Sequence, residues 1–284
     1  MWKCATCGKK LALPCERCPS NRHVTLLPTN LIRAAADQGA LETRYHACCE
    51  GDGTDAVKRL RDCERVIRKH FAVSINVHPE ALVNFLRSPK IRYLNLHDNL
   101  GAGAVIDYDR DLAATRLGVD TVLFGDDGKK LNFGAINLGT IGLYSYGAAC
   151  VFLKSSAIHQ RTSFLQNNSF TYVTGSLPNI GINPPSAGER ALWPTLPMLA
   201  TVKYERQFRT IKRVARNVLA DVVLSSSGDK NSDVFIEAQI FPPITREAIS
   251  QIYFSPSRYR KIQSKSLVGK TAQHNRDILK YMTS

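Results

Sequence analysis

Glu237 is the only acid in the run Val234-Phe235-Ile236-Glu237-Ala238-Gln239-Ile240-Phe241. The apolar neighbours Phe235, Ile236 and Ile240 predict a strand that is buried over most of its length. Side chains two apart on a strand project from one face, so Glu237 and Gln239 point together. A carboxylate so placed can stabilise developing positive charge or take a proton from a hydroxyl, while the neighbouring amide orients an acceptor. The plainer alternative is an edge-strand glutamate in water. The apolar flanks speak against it, because a buried unpaired carboxylate is costly.

A second set of chemistry-bearing residues opens the chain. Cys4-x-x-Cys7 and Cys15-x-x-Cys18 form two knuckles separated by seven residues. Each knuckle turns two thiolates toward one point, and four thiolates satisfy tetrahedral zinc. This predicts a Cys4 zinc ribbon over residues 1–25 with a structural zinc. Four thiolates leave no open position for a catalytic metal. The alternative is a disordered or disulfide-scrambled N-terminus. His46, Cys48 and Cys49 fall before Gly51-Asp52-Gly53 and read as a loop, but adjacent cysteines cannot easily share one tetrahedral site. Cys63 and Cys150 lie in apolar patterns and read as core thiols.

These groups must be positioned by a chain of 284 residues with 38 Lys+Arg against 24 Asp+Glu, a formal net charge of +14. That excess favours an acidic or phosphate-bearing partner; much of it lies in 206–216 and 258–280. A hydrophobic fraction of 44% suits a globular protein with a sizeable core. No apolar run approaches the ~18 residues of a membrane helix, and Met1-Trp2-Lys3-Cys4 lacks the apolar core of a signal peptide. Scattered cysteines predict a reducing compartment such as a cytosol.

Residues 26–70 read as a helical segment, with Val57, Leu60, Cys63, Val66, Ile67 and Phe71 at helical spacing. From residue 71 the period changes. Strands are predicted at 71–78, 91–96, 148–154, 169–173, 198–204 and 234–241, a short helix at 80–87, and one long basic helix over 206–224. Strands without repeated βαβ units argue for an α+β fold. No Gly-x-Ser-x-Gly elbow is present, and Gly101-Ala102-Gly103 lacks the rest of a dinucleotide fingerprint.

Four motifs then coincide in order: His78-Pro79-Glu80; Lys130-Leu131-Asn132-Phe133-Gly134-Ala135-Ile136-Asn137; Tyr146-Gly147 with Arg161-Thr162-Ser163-Phe164 and Ser169; and Phe235-Ile236-Glu237-Ala238-Gln239-Ile240 with Ile244-Thr245-Arg246-Glu247. This series, over about residues 71–260, resembles an uncharacterised bacterial family with the patterns His-Pro-Asp, Tyr-Gly-Ala-Leu-Asn, Arg-Thr-Thr-Phe and Glu-Ala-Gln-Val-His. That family includes type III effectors that ADP-ribosylate ubiquitin on a threonine. Glu80 stands where the family usually has Asp, and Phe241 where it usually has His.

The resemblance implies an ADP-ribosyltransferase-like split β-sheet domain over 71–284, a bacterial effector or toxin acting as a monomer in a cytosol, including that of a host cell. It implies NAD as substrate and ubiquitin or another protein as acceptor. Glu237 and Gln239 would be catalytic. Arg92 and Arg161 would be candidates for gripping the NAD diphosphate, since a guanidinium can bind phosphate oxygens in a bidentate way. Phe133 would stack on a ring, Gly134 would admit the cofactor closely, and Asn137, Ser163 and His78 would hydrogen-bond within the site. Arg161 could equally be structural, paired with a backbone carbonyl, and His78 could simply cap the helix after it. The rival class is a zinc-ribbon nucleic-acid binder, or a transferase with nucleic acid as acceptor, both supported by the charge.

Overall fold

The computed structural model describes residues 27–50, 54–87, 110–174, 181–230 and 232–254, the single positions Tyr93, Asn95, His97 and Asp98, and a short strand pair, β1 (Trp2–Lys3) with β2 (Lys10–Leu11). Cys4, Cys7, Cys15, Cys18, Arg92 and the Gly101–Gly103 stretch lie outside the described residues, as does most of the strand predicted at 91–96.

Period-two patterning produces the centre of the molecule. The strands β3 (Ala72–Val77), β4 (Asn132–Asn137), β5 (Ala149–Leu153), β6 (Thr162–Leu165), β9 (Arg190–Leu192), β10 (Glu237–Ile240) and β11 (Ile249–Phe254) form one seven-stranded sheet in the order β11-β5-β3-β4-β10-β6-β9. Every pairing in it is antiparallel. A separate pair joins β7 (Val173–Thr174) to β8 (Gly181–Ile182). With the helices packed against the sheet and no βαβ repeat, the fold is α+β.

Strand alternation sorts the sheet into two unlike faces. One carries Val73, Ile75, Val77, Ile136, Val151, Leu153, Phe164, Ala191, Ile236, Ala238 and Ile240. Helices α2 (Gln38–Cys49), α3 (Thr54–His70), α4 (Pro79–Leu86), α7 (Leu196–Lys203), α8 (Glu205–Thr210) and α9 (Arg216–Val223) bury Leu41, Leu60, Cys63, Ile67, Leu82, Leu199, Phe208 and Leu219 in that same core. The opposite face carries Ser74, Asn76, Phe133, Asn137, Ser163, Glu237 and Gln239 in register. It is covered by α1 (Thr29–Ala36), α5 (Arg110–Phe124) and a smaller cluster of Val119, Leu123, Phe124, Leu131, Leu165 and Tyr172. The remaining helix, α6 (Ser155–Ile158), is a single turn leading into β6.

Topology dictates what crosses the polar face. β4 and β5 flank β3 and both run antiparallel to it, so they are parallel to each other. Residues 138–148 must therefore return along the sheet. Asn76 holds this crossover, donating to Ile141 O (3.2 Å) and Gly147 O (3.0 Å) and accepting from Leu143 N (2.7 Å). Gly142 permits the close approach: its φ is +71°, and a Cβ there would lie 2.1 Å from Asn76 Oδ1 and 2.7 Å from Cys150 Sγ. Gly142→Ala is expected to lower the denaturant midpoint by more than about 1 kcal/mol equivalent, because alanine avoids that backbone region and finds no space. Gly39→Ala, in α2 with nothing within 4 Å of its Cβ position, is the control and should gain about 0.5–1 kcal/mol. Equal midpoints for the two variants would contradict this account.

Four stretches differ from their sequence patterns. Residues 196–203 are helical, not extended, with Pro197 in the first turn of α7. The short apolar run Met198–Val202 fits strand or helix equally, and Pro at a helix start settles it locally. The long basic helix divides into α8 and α9, because Ile211 (ψ 128°) and Ala215 (ψ 150°) are extended. Residues 169–172 form a 3-10 turn capped by Asn168, whose side chain accepts from Phe170 N. His46, Cys48 and Cys49 fall inside α2 and not in a loop, and Cys48 Sγ donates to Glu205 Oε2 at 3.1 Å. Among the described residues no group of three or more His, Cys, Asp or Glu is arranged to hold a metal.

Candidate functional site

Glu237 sits on β10, between β4 and β6, opposite Ala135 on one side and Leu165 on the other. It is 3% exposed. Its carboxylate is held by three donors. Oε2 accepts from Ser169 N (3.2 Å) and Ser169 Oγ (2.9 Å), and Oε1 accepts from Gln239 Nε2 (3.0 Å). Burial pushes the carboxyl above its usual range; the Arg116 charge and the Ser169 and Gln239 hydrogen bonds oppose the shift without cancelling it. Desolvation disfavours the charged form, and fixed donors favour it.

Gln239 extends the network across β6. Its Oε1 accepts from Ser163 Oγ (3.1 Å), and Asn30 on α1 donates to both Ser163 Oγ (2.9 Å) and Gln239 O (3.1 Å). The structure thus joins Glu237, Gln239 and Ser163 in one hydrogen-bonded row, with Phe133 opposite Gln239 on β4.

Arg116 on α5 is the main participant that sequence reasoning missed. It is buried, and its Nη1 donates to Ser169 Oγ (2.8 Å), so one hydroxyl links it to Glu237. The guanidinium lies 3.8 Å from the Phe133 ring centroid and 5.1 Å from that of Phe170. Asp120, one helical turn on, anchors it by Nε–Oδ2 and Nη2–Oδ1 contacts of 2.9 Å, and His97 Nε2 lies 2.9 Å from Asp120 Oδ2. The only sequence signal was the i, i+4 spacing of Arg116 and Asp120, which any solvated helix can carry.

Half-buried aromatics border this row. The Tyr146 hydroxyl accepts from Asn168 Nδ2 (3.1 Å), and its ring meets Phe235 edge-on at 6.2 Å. Burial, then the charges of Glu237 and Asp233, hold that hydroxyl above the usual phenol range. Lys230 Nζ lies 5.2 Å from the same ring.

Other residues singled out in the sequence stand elsewhere. Arg161 donates through Nε and Nη2 to Ala157 O (3.1 and 3.0 Å) and through Nη1 to Phe241 O, so its guanidinium ties backbone carbonyls. It precedes Thr162, which pairs with Ile240 at the end of β10 remote from Glu237. Gly134 pairs with Ala238 and so belongs to the apolar face; its Cβ position meets Ser74 O, Ile75 and Val73. Asn137 is buried, donating to Ser74 Oγ (3.0 Å) and Thr140 O (3.1 Å) and accepting from Gly139 N and Thr140 N (2.8 Å each), which fixes the start of the crossover. His78 is exposed at the N-cap of α4, and its carbonyl accepts from Leu82 N (3.0 Å).

The arrangement can stabilise a cation or take a proton at Glu237, and it can orient a hydroxyl with Gln239. Arg116 and the rings around it supply a cationic, aromatic wall. No family model matches the chain, and no curated protein matches it either. Among the described residues no helix is long and apolar enough to cross a membrane.

Proposed function

We propose that the protein is a mono-ADP-ribosyltransferase that moves ADP-ribose from NAD to a protein side chain, with a threonine of ubiquitin as the leading acceptor. The observation that carries this reading is the buried Glu237 carboxylate, desolvated yet held by three fixed donors, beside Gln239 on one face of a central strand. The resemblance in the ordered motifs supplies the choice of NAD and ubiquitin.

In the proposed reaction the bond between ribose C1′ and the nicotinamide nitrogen breaks, and its electron pair leaves with nicotinamide. Positive charge develops on the ribose, and Glu237 stabilises it from a preorganised, water-poor position. A ribose hydroxyl would donate to the Oε1 lone pair that Gln239 leaves free, while Ser169 keeps both of its hydrogen bonds to Oε2. The acceptor hydroxyl attacks C1′, and its proton passes to Glu237, whose raised carboxyl suits a general base. Gln239, held by Ser163, orients the acceptor or the ribose. Arg116, 3.8 Å from the Phe133 ring centroid and 5.1 Å from that of Phe170, would give a planar ring a cationic, aromatic wall to pack on. Cys4, Cys7, Cys15 and Cys18 fit a structural zinc by number and chemistry, and no step runs through it.

The test is incubation of the full chain with NAD and ubiquitin, followed by intact-mass analysis. The expected result is the gain of one ADP-ribose on ubiquitin with release of nicotinamide. Its rate should fall as pH drops through the raised Glu237 carboxyl, because the protonated form can neither stabilise a cation nor take a proton. Steep salt-dependent binding of DNA without NAD cleavage would overturn the reading in favour of a nucleic-acid binder.

A further inference from the structure

The ladder between β6 and β10 ends abruptly at Glu237. Leu165 pairs with Glu237, and beyond that pair the strands part. Gln166 turns toward the β9 side, where its N donates to Glu189 O (2.8 Å), and the chain then swings Ser169 back beneath the Glu237 carboxylate. A fork of this kind leaves carbonyls without ladder partners, which is costly in a buried place. Lys203, the last residue of α7, fills the fork. Its Nζ donates to Gln166 O and to Phe235 O, both at 2.6 Å, one carbonyl on each diverging chain.

We propose that Lys203 is a positioning residue for Glu237: it clamps the fork so that the 166–169 segment brings both Ser169 donors onto the carboxylate. The inference rests on the proposed transferase reading for its meaning, but not for its test. An ammonium suits the position because it has three donors and a charge. The charged groups facing it are Glu237 on β10 and Glu189 before β9, with the Tyr204 ring 5.3 Å from Nζ and the Tyr172 hydroxyl bonded to Glu189 (2.9 Å). Burial pulls the amine down to about 7, and the two glutamates oppose the shift. The clamp therefore changes charge near neutral pH, while the neutral amine keeps enough N–H groups for both carbonyls. Protonated Lys203 favours ionised Glu237, and the influence must be reciprocal.

Two titrations in the full chain test this without any enzymatic assay. Infrared difference spectroscopy follows the Glu237 carboxyl, identified as the signal absent in Glu237→Gln. In Lys203→Met it should titrate at higher pH than in the wild type, and Lys203→Arg, which keeps charge and donors, should return it toward the wild-type position. Nitrogen NMR follows the Lys203 amine, which should titrate lower still in Glu237→Gln, because a carboxylate that favours its charged form is gone. Turnover of NAD should fall about 10²-fold in Lys203→Met with KM for NAD little changed, as misplacement of a reacting group predicts. An unmoved Glu237 titration in Lys203→Met overturns the proposal even if turnover falls. Should that variant fail to fold, an unmoved Lys203 amine in Glu237→Gln overturns it instead. Absence of NAD cleavage by the wild type would count against the transferase reading alone, since both titrations would still decide the role of Lys203.

Discussion

Glu237→Gln is expected to lower NAD turnover by at least about 10²-fold, the scale seen when one preorganised electrostatic group is removed from a transition state. The same variant should fold as well as the wild type, or better. Glutamine keeps the volume, and its amide can fit the existing network. Its oxygen can accept from Ser169 N and Oγ. Its NH2 then faces Gln239, which can turn its own amide to accept, with Ser163 Oγ, already the acceptor for Asn30, receiving the other end. Glu237→Ala, by contrast, leaves Ser169 and Gln239 donors without their acceptor, at about 1–3 kcal/mol for each buried orphan. Both variants should lose activity, but only alanine should lose stability.

The pH dependence gives this prediction a sign. The Glu237 carboxyl is raised in the folded protein by burial. Between the ordinary carboxylate range and that raised value, the folded chain holds a proton that the unfolded chain has released. Stability therefore falls as pH rises through the window, and it is recovered on acidification. Glutamine has no such proton. The unfolding temperature of Glu237→Gln relative to wild type should accordingly increase from pH 5 to pH 8. A gap that closes with rising pH would mean that Glu237 is stabilised as an anion in the fold, contrary to the burial that dominates its environment.

The part of this site visible in the sequence was the part written in period two. Glu237 and Gln239 share a face because they are two apart, and the apolar flanks correctly marked a buried strand. Alternation likewise revealed β3, a continuous apolar run revealed β5, whose five residues are all buried, and helical spacing revealed α3. The residues that complete the site are brought in by separation along the chain: Arg116, Ser169 and Lys203 reach Glu237 or its strand from three different elements. No local pattern encodes those meetings. Arg161 shows what sequence leaves open. An arginine beside a strand can grip phosphate or tie a backbone carbonyl, and only the fold chooses: its guanidinium closes a turn onto Ala157 O and Phe241 O. Residues 198–204 carry a strand-like pattern, yet 198–203 fold as helix for a different reason, since a short apolar run is too brief to reveal its period.

Arg116→Met should be the most destabilising single change at the site, by about 3–5 kcal/mol, because it strands the Asp120 carboxylate, whose side chain is 0% exposed, without its guanidinium. His97 remains 2.9 Å from Asp120 Oδ2 but offers one nitrogen where Arg116 offered two. For a domain of this size the unfolding temperature should drop by roughly 10 °C. Adding Asp120→Leu should restore most of that loss, since two apolar side chains leave no charge buried and replacement of such a pair is often neutral. Function should not return with it. Ser169 Oγ loses the donor that fixes its orientation, and Glu237 loses the charge that held its raised carboxyl in check. The double variant should thus unfold near the wild-type temperature while its rate profile for NAD cleavage begins at higher pH. Recovery of both properties would reduce Arg116 to a scaffold residue. Loss of less than about 1 kcal/mol in the single variant would mean that the Arg116–Asp120 pair behaves as a solvated surface contact.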